Sequence, residues 1–271
     1  MAAELKISES VDGAMTNTSY VNSDGVLTDA IDMGYATVQR TRNTDGKIIK
    51  ELYFEADGNP VKRYNEYYGI AYEDNMVKIT YLNADGVHPI TLTTGYSIIV
   101  RTLNDAGKAV DEHYYNSKMQ PASCNGYYGL YRGYNSDGQN IQEVYLDRNG
   151  QIVYCASGYA IKMYDRDSSD LVASEYYYDR QKKPTTSTLG QYGEKYQRNE
   201  NGQITQIIYL GVDGNPAPTQ AGYTMLRRSY YRDGTAKTDM YFDRKGNSIA
   251  LSRGQYGIRR SGKINLLLDK N

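Results

Sequence analysis

The chain has 271 residues, 31 basic and 32 acidic, for a formal charge of −1, and a mean hydropathy of −0.70. That balance excludes a general nucleic-acid binder, which needs a basic surface to displace phosphate counterions, and the lack of any apolar run of about 18 residues excludes a membrane-spanning helix. Thirty Tyr beside two Phe and no Trp exclude an aromatic-poor disordered chain and point to sheets with small cores, because a Tyr ring packs while its hydroxyl stays wet.

Residues 1–17 precede any repetition and read as an N-terminal cap or linker remnant. Their start, MAAELKISES, lacks the apolar stretch of a signal peptide, so the chain is either cytoplasmic or exported with its leader removed. From residue 18 to 271 the chain reads as a single repeat array. A marker Tyr, followed by an apolar or aromatic residue and a Gly turn, recurs as YVNSDG at Tyr20, YFEADG at Tyr53, YLNADG at Tyr81, YLDRNG at Tyr145, YLGVDG at Tyr209 and YFDRKG at Tyr241. Copies without the Gly stand at Tyr114 and Tyr177. The spacing is 28 to 33 residues.

A second marker follows each Tyr by 14 or 15 residues. It is Gly-Tyr in odd copies (Tyr35, Tyr96, Tyr159, Tyr223) and Tyr-Gly in even ones (Tyr68, Tyr128, Tyr192, Tyr256). About eight units of some 32 residues therefore group as four double units. A further turn follows in most units, as at Asp45-Gly46, Asp137-Gly138 and Asn201-Gly202. Asp-Gly and Asn-Gly between alternating segments signal tight hairpins, whose turns need positive φ. Each unit reads as strand, turn, strand ending on the marker Tyr, second turn, and a short edge-like segment holding Pro60, Pro89, Pro121, Pro184 or Pro216. The fold class expected is all-β, an elongated, β-solenoid-like tandem array of β-hairpins.

Period-two alternation assigns Leu52, Phe54, Val144, Leu146, Ile208, Leu210, Met240 and Phe242 to the core and the marker Tyr to the opposite face. On the Tyr face the residue two before the marker is acidic in Glu51, Glu112, Glu143, Glu175 and Asp239, and Arg40, Arg101 and Arg228 recur on the preceding strand. Such rows have a packing reading, since cross-strand pairs stabilise sheets by roughly 0.2–1 kcal/mol each. They also have a binding reading, since Tyr exceeds what packing needs.

Signals of catalysis are missing. His88 and His113 occupy different unit positions, and no His/Cys set has metal-ligand spacing. Asp165, Asp167 and Asp170 resemble a calcium loop but lack its Gly and closing Glu, so a solvated turn is expected. Cys124 and Cys155 share one repeat position. With two strands per unit at about 4.8 Å each they are expected to stay free rather than meet the distance limit of a disulfide.

The segment GYATVQRTRNTDGKIIKELYFEADGNPV, Gly34 to Val61, resembles the Tyr/Gly repeats of bacterial surface proteins. YFEADGNPV and YLDRNGQIV are distantly similar to the hairpins of choline-binding, glucan-binding and clostridial-toxin cell-wall-binding repeats. The YD repeat of shell proteins and adhesins is a third likeness. Choline and glucan repeats depend on Trp and use units near 20 residues, two departures that count against a choline site. The resemblance implies a non-enzymatic module without cofactor or metal, extracellular or at the cell surface. On it Tyr35, Tyr53, Tyr81, Tyr96, Tyr145, Tyr159, Tyr209, Tyr223 and Tyr241 bind a glycan or cell-wall polymer. The alternative is a structural or adhesive spacer, or a protein-binding YD-like scaffold. A catalytic or anchoring domain fused in a longer parent chain fits either.

Overall fold

The computed structural model describes residues 6–29, 33–261 and 264–268. Among the described residues the chain is all-β, a tandem array of hairpins with no helix, and so with none long and apolar enough to cross a membrane. Contacts divide it into two units, one to Leu130 and one from Tyr131. The first holds β1 (Lys6–Asp12), β2 (Met15–Val21), β3 (Thr37–Arg42), β4 (Ile48–Phe54), β5 (Gly69–Glu73), β6 (Lys78–Leu82), β7 (Ile98–Leu103) and β8 (Ala109–Tyr115). β9 (Gly129–Tyr134) begins at the boundary. The second unit continues with β10 (Asn140–Leu146), β11 (Ile161–Arg166), β12 (Val172–Tyr178), β13 (Gly193–Arg198), β14 (Ile204–Leu210), β15 (Met225–Tyr230), β16 (Ala236–Phe242), β17 (Gly257–Ser261) and β18 (Ile264–Leu268).

Within each unit successive strands pair antiparallel. From β3 onward the ladder is longer inside a hairpin than between hairpins. β3 meets β4 from Thr37↔Phe54 to Arg42↔Ile48, with a bulge between Thr41 and Arg42 next to the tip. β4 meets β5 only at Lys50↔Ala71, Glu51↔Ile70 and Leu52↔Gly69. The tips close as the sequence implies: Asn43 Oδ1 accepts from the Asp45 and Lys47 amides while Gly46 supplies a φ of 76°, the Asx-type chemistry that favours Asn, Asp and Gly in turns. The short spacing from Tyr53 to Tyr81 arises in β5–β6, whose hairpin has no bulge and turns at Asp74, Asn75 and Met76, all at positive φ.

After each marker the chain turns at its Gly, or at Met119 and Lys182 (φ 58° and 61°) in the two copies without one, and the short segment bridges back to the strand end, as Pro60 does to Phe54. A third turn follows that the sequence reading did not separate. In it the Leu92 amide donates to the Tyr96 carbonyl, and Cys155 to Tyr159 in the same way.

That turn corrects the assignment of faces. Tyr53, Tyr145, Tyr209 and Tyr241 are buried, while Leu52, Phe54, Val144, Leu146, Ile208, Met240 and Phe242 are only half-buried; of the residues expected in the core, Leu210 alone is fully enclosed. Alternation was read correctly but the apolar side was taken as the inside. The layer covering the marker face is itself made of Tyr, delivered by the third turn, and those rings seal it more completely than the opposite face is sealed.

The odd–even flip has a steric cause. Even units start their strand on Gly69, Gly129, Gly193 or Gly257. A Cβ at Gly193 would lie 2.4 Å from the Glu175 carbonyl oxygen, and at Gly257 2.4 Å from that of Asp239. Opposite stand large side chains, Leu52, Tyr176 and Met240. Odd junctions instead pair Ile98 with Thr80, Ile161 with Val144 and Met225 with Ile208. Gly193→Ala is therefore expected to cost about 1–3 kcal/mol through overpacking against backbone, read as a lowered denaturation midpoint in urea. An unchanged midpoint would show that the approach is not close.

Candidate functional site

The repeated tyrosines come together as a ladder. In the first unit, ring centroids run Tyr20–Tyr35 5.9 Å, Tyr35–Tyr53 5.2 Å, Tyr53–Tyr67 6.3 Å, Tyr67–Tyr81 5.0 Å, Tyr81–Tyr96 6.0 Å, Tyr96–Tyr114 4.9 Å and Tyr114–Tyr127 5.8 Å. In the second, Tyr145–Tyr159–Tyr177 follows at 5.8 and 4.3 Å, and Tyr209–Tyr223–Tyr241 at 5.3 and 4.7 Å. Most pairs are tilted or edge-on, the arrangements the ring quadrupole favours, worth roughly 0.5–1.5 kcal/mol each beyond area burial.

All nine tyrosines singled out for ligand binding lie in this ladder. Tyr35, Tyr53, Tyr145, Tyr159, Tyr209 and Tyr241 are at most 8 % exposed, and Tyr81, Tyr96 and Tyr223 are half-buried. The rows form a buried ladder, not an open groove. Sequence reading identified Tyr20, Tyr114 and Tyr177 as markers but left them out of the binding set, and it missed Tyr67 and Tyr127. Their signal was present: Tyr67 and Tyr127 directly precede the Tyr-Gly pairs, at the position that Gln191 and Gln255 occupy in the later even units. Gln191, buried, interrupts the ladder there and donates from Nε2 to Glu194.

The acid row lies beside the rings, and its members accept from phenols. Tyr53 and Tyr72 donate to Glu51 (3.3 Å each), Tyr145 to Glu143 (3.2 Å), Tyr177 to Glu175 (2.5 Å) and Tyr196 to Glu194 (3.0 Å). The expected acid–Arg pairs form across strands: Arg40 with Glu51 at 2.8 Å, Arg101 with Glu112 at 2.7 Å and Arg228 with Asp239 at 2.6 Å; Arg260 adds a second contact to Asp239 and Lys162 serves Glu175 at 2.8 Å. At Glu51 and Glu175 the cost of burying the carboxylate is thus offset by a cation and a hydroxyl.

Burial first, with neighbouring carboxylates or phenols second, holds the phenols neutral. Desolvation and then Glu51 push Tyr53 far above the usual Tyr range, Tyr145 and Tyr177 move the same way, and Tyr67 is pushed up to about 12. These are poor nucleophiles and poor bases. Cys124 and Cys155 are free and buried, and burial raises the Cys124 thiol. His88 and His113 contact Asp85 and Asp111. Asp167 accepts from the Ser169 and Leu171 amides, as a turn residue does, and among the described residues no cluster has the makings of a metal site.

Two grooves open at hairpin tips. One of about 1120 Å³ lies where β5–β6 is short, lined by Arg42, Lys47, Ile49, Glu73 and Met76 among others. The other, about 440 Å³, lies between the tips of β13–β14 and β15–β16 and includes Asn199, Asn201, Gln203, Arg228, Tyr230 and Tyr231.

No protein-family description and no curated protein matches the chain. Among solved structures it is similar to chains of a TcdB2-TccC3-Cdc42 crystal structure (10 % identity, TM-score 0.31, 94 % of this chain and 16 % of that one) and of a TcdB2-TccC3-TEV structure (10 %, 0.28, 96 % and 16 %). The chain thus spans about a sixth of the length of those chains, and a superposition so loose transfers neither fold detail nor function.

The ladder predicts the alkaline behaviour. Phenols whose folded pKa is raised leave stability intact below the unfolded value of about 10 and withdraw it as pH rises further. The tyrosinate absorbance of the ladder should therefore appear together with loss of the far-ultraviolet β signal, in one cooperative step above pH ~10. Free, gradual ionisation of all 30 Tyr with the sheet intact would contradict the buried ladder.

Proposed function

We propose that this chain is a non-catalytic structural repeat, a YD-like hairpin scaffold or adhesive spacer that holds or presents other parts of a larger assembly. The observation that carries this reading is the consumption of the repeated Tyr in ring-on-ring packing: each ring that was a candidate ligand platform has other rings as its neighbours. The regular distribution of acid, Arg and Tyr supports it as well, because catalysis converges polar groups on one place. On this reading the partner is a protein or a fused domain, and the setting is extracellular or the cell surface, as the resemblance of the repeats implies.

A second reading, glycan binding, is supported by a different feature from the one sequence pointed to. The groove between the β13–β14 and β15–β16 tips combines amides, Arg228 and the exposed ring of Tyr231, a lining suited to a neutral polyhydroxylated ligand. A glycan array and a cell-wall pull-down separate the two. The scaffold reading expects no saturable binding even at Kd values of about 1 mM. Saturable binding lost in Tyr231→Ala and Asn201→Ala, with unchanged melting, would replace it with the glycan reading.

A further inference from the structure

Opposite the acids Glu51 and Asp239, the next strand sets an aliphatic side chain. Ile70 faces Glu51 and Ile258 faces Asp239. Two other junctions differ. Lys162 faces Glu143, a countercharge. Glu194 faces Glu175, a second carboxylate on the same buried face of adjacent strands. Directly opposed side chains in an antiparallel pair have Cβ atoms only about 4.5–5.5 Å apart, and like charges there are destabilising.

The neighbours do not neutralise the pair. Glu175 is served by Lys162 at 2.8 Å and the Tyr177 hydroxyl at 2.5 Å. Among the described residues Glu194 accepts from neutral donors, Gln191 Nε2 at 3.2 Å and the Tyr196 hydroxyl at 3.0 Å, with the Lys162 charge acting from Glu175's side. The groups acting on one or both are Lys162 and Tyr164 from β11, Tyr177 from β12, Tyr196 from β13, Tyr209 from β14 and Tyr159 from the connecting segment, with Glu143 of β10 behind Lys162 and Tyr164. The Lys162 ammonium and the Arg132 guanidinium, the latter 4.0 Å from Glu143, stand among three carboxylates. The junction itself is short, held by Ser174↔Lys195, Glu175↔Glu194 and Tyr176↔Gly193, so repulsion acts where little ladder resists it.

We propose that the β12–β13 junction is an acid-tightened joint, in which a proton on Glu194, directly opposite Glu175, closes the junction and its loss loosens it. Burial first and Glu175 second raise Glu194 above the ordinary carboxylate range. A carboxyl raised in this way leaves stability whole below its unfolded pKa and withdraws it as pH climbs through the folded one. The direction is opposite to that of the turn acids Asp213, Asp233 and Asp243, which hydrogen bonds lower. The array would then be firmest in mild acid and would yield first at this joint as pH rises.

Hydrogen exchange followed between about pH 5 and pH 8, corrected for intrinsic rates, tests it. The β13 amides of the wild type should lose protection several-fold as pH rises, while those of β15–β16 hold. Glu194→Gln should abolish the pH dependence and keep protection at its acid level. Glu194→Ile, which sets there the aliphatic residue found opposite Glu51 and Asp239, should do the same and serves if the amide variant misfolds. Flat wild-type protection, or a decline equal in both variants, would overturn the joint. Carbon-13 carboxyl titration supplies the site: one Glu resonance should titrate above the usual range and vanish in Glu194→Gln, and all Glu titrating normally would refute it.

Discussion

The structure depends on the contact between one tyrosine ring and the next. A hairpin of this array is too thin to bury much on its own. Outside the two units that carry Gln191 and Gln255, the third turn lays a ring from the connecting segment against the marker rings, and each such ring becomes both core and cover. A Phe ladder would pack as well, but the acid row requires hydroxyls: Glu51, Glu143, Glu175 and Glu194 each accept from a phenol in the same layer. An unpartnered buried carboxylate costs far more than a hydrogen bond returns. The predominance of Tyr over Phe and Trp follows from having to fill volume and satisfy charge with one side chain.

The second constraint is the weakness of the junctions. A long ladder joins the strands of a hairpin, but only three residue pairs join β4 to β5 or β12 to β13. Close approach compensates: at alternate junctions Gly lets backbone meet backbone and a large neighbour covers it. The double repeat is thus a packing solution, large against bare at one junction and medium against medium at the next. The same economy makes each junction sensitive to a change of side chain on the buried face.

Function follows from what this packing consumes and what it leaves. Rings, acids and arginines are largely engaged with one another, as in Arg40–Glu51 and Tyr177–Glu175. Departures from the pattern are few and local: the shortened β5–β6 hairpin with its groove, the amide-lined groove near Tyr231, and the charged pair at Lys162 and Glu194 in a row otherwise aliphatic at Val38, Ile70, Ile99, Leu226 and Ile258. In a repeat protein the exceptions carry the specific information, because the regular positions are already explained by packing.

Much of this was legible in the residues alone. The unit length, the hairpin turns at Asn-Gly and Asp-Gly, the Pro segments and the acid–Arg partners follow from local rules of turn geometry and strand alternation, and Arg40–Glu51 and Arg228–Asp239 stand where the spacing put them. The odd–even flip was visible as a pattern, though not as the close approach of Gly193 to the Glu175 carbonyl. Which face is inside was decided only by the tertiary structure. Alternation distinguishes two faces without saying what covers them, and hydrophobicity favoured Leu52 and Phe54 over Tyr53. The cover comes from Tyr35 and its counterparts, brought there by a turn whose effect depends on where the next hairpin lies. The opposition of Glu175 to Glu194 belongs to the same class of fact, because register between hairpins is set by packing across the junction and not by either strand alone.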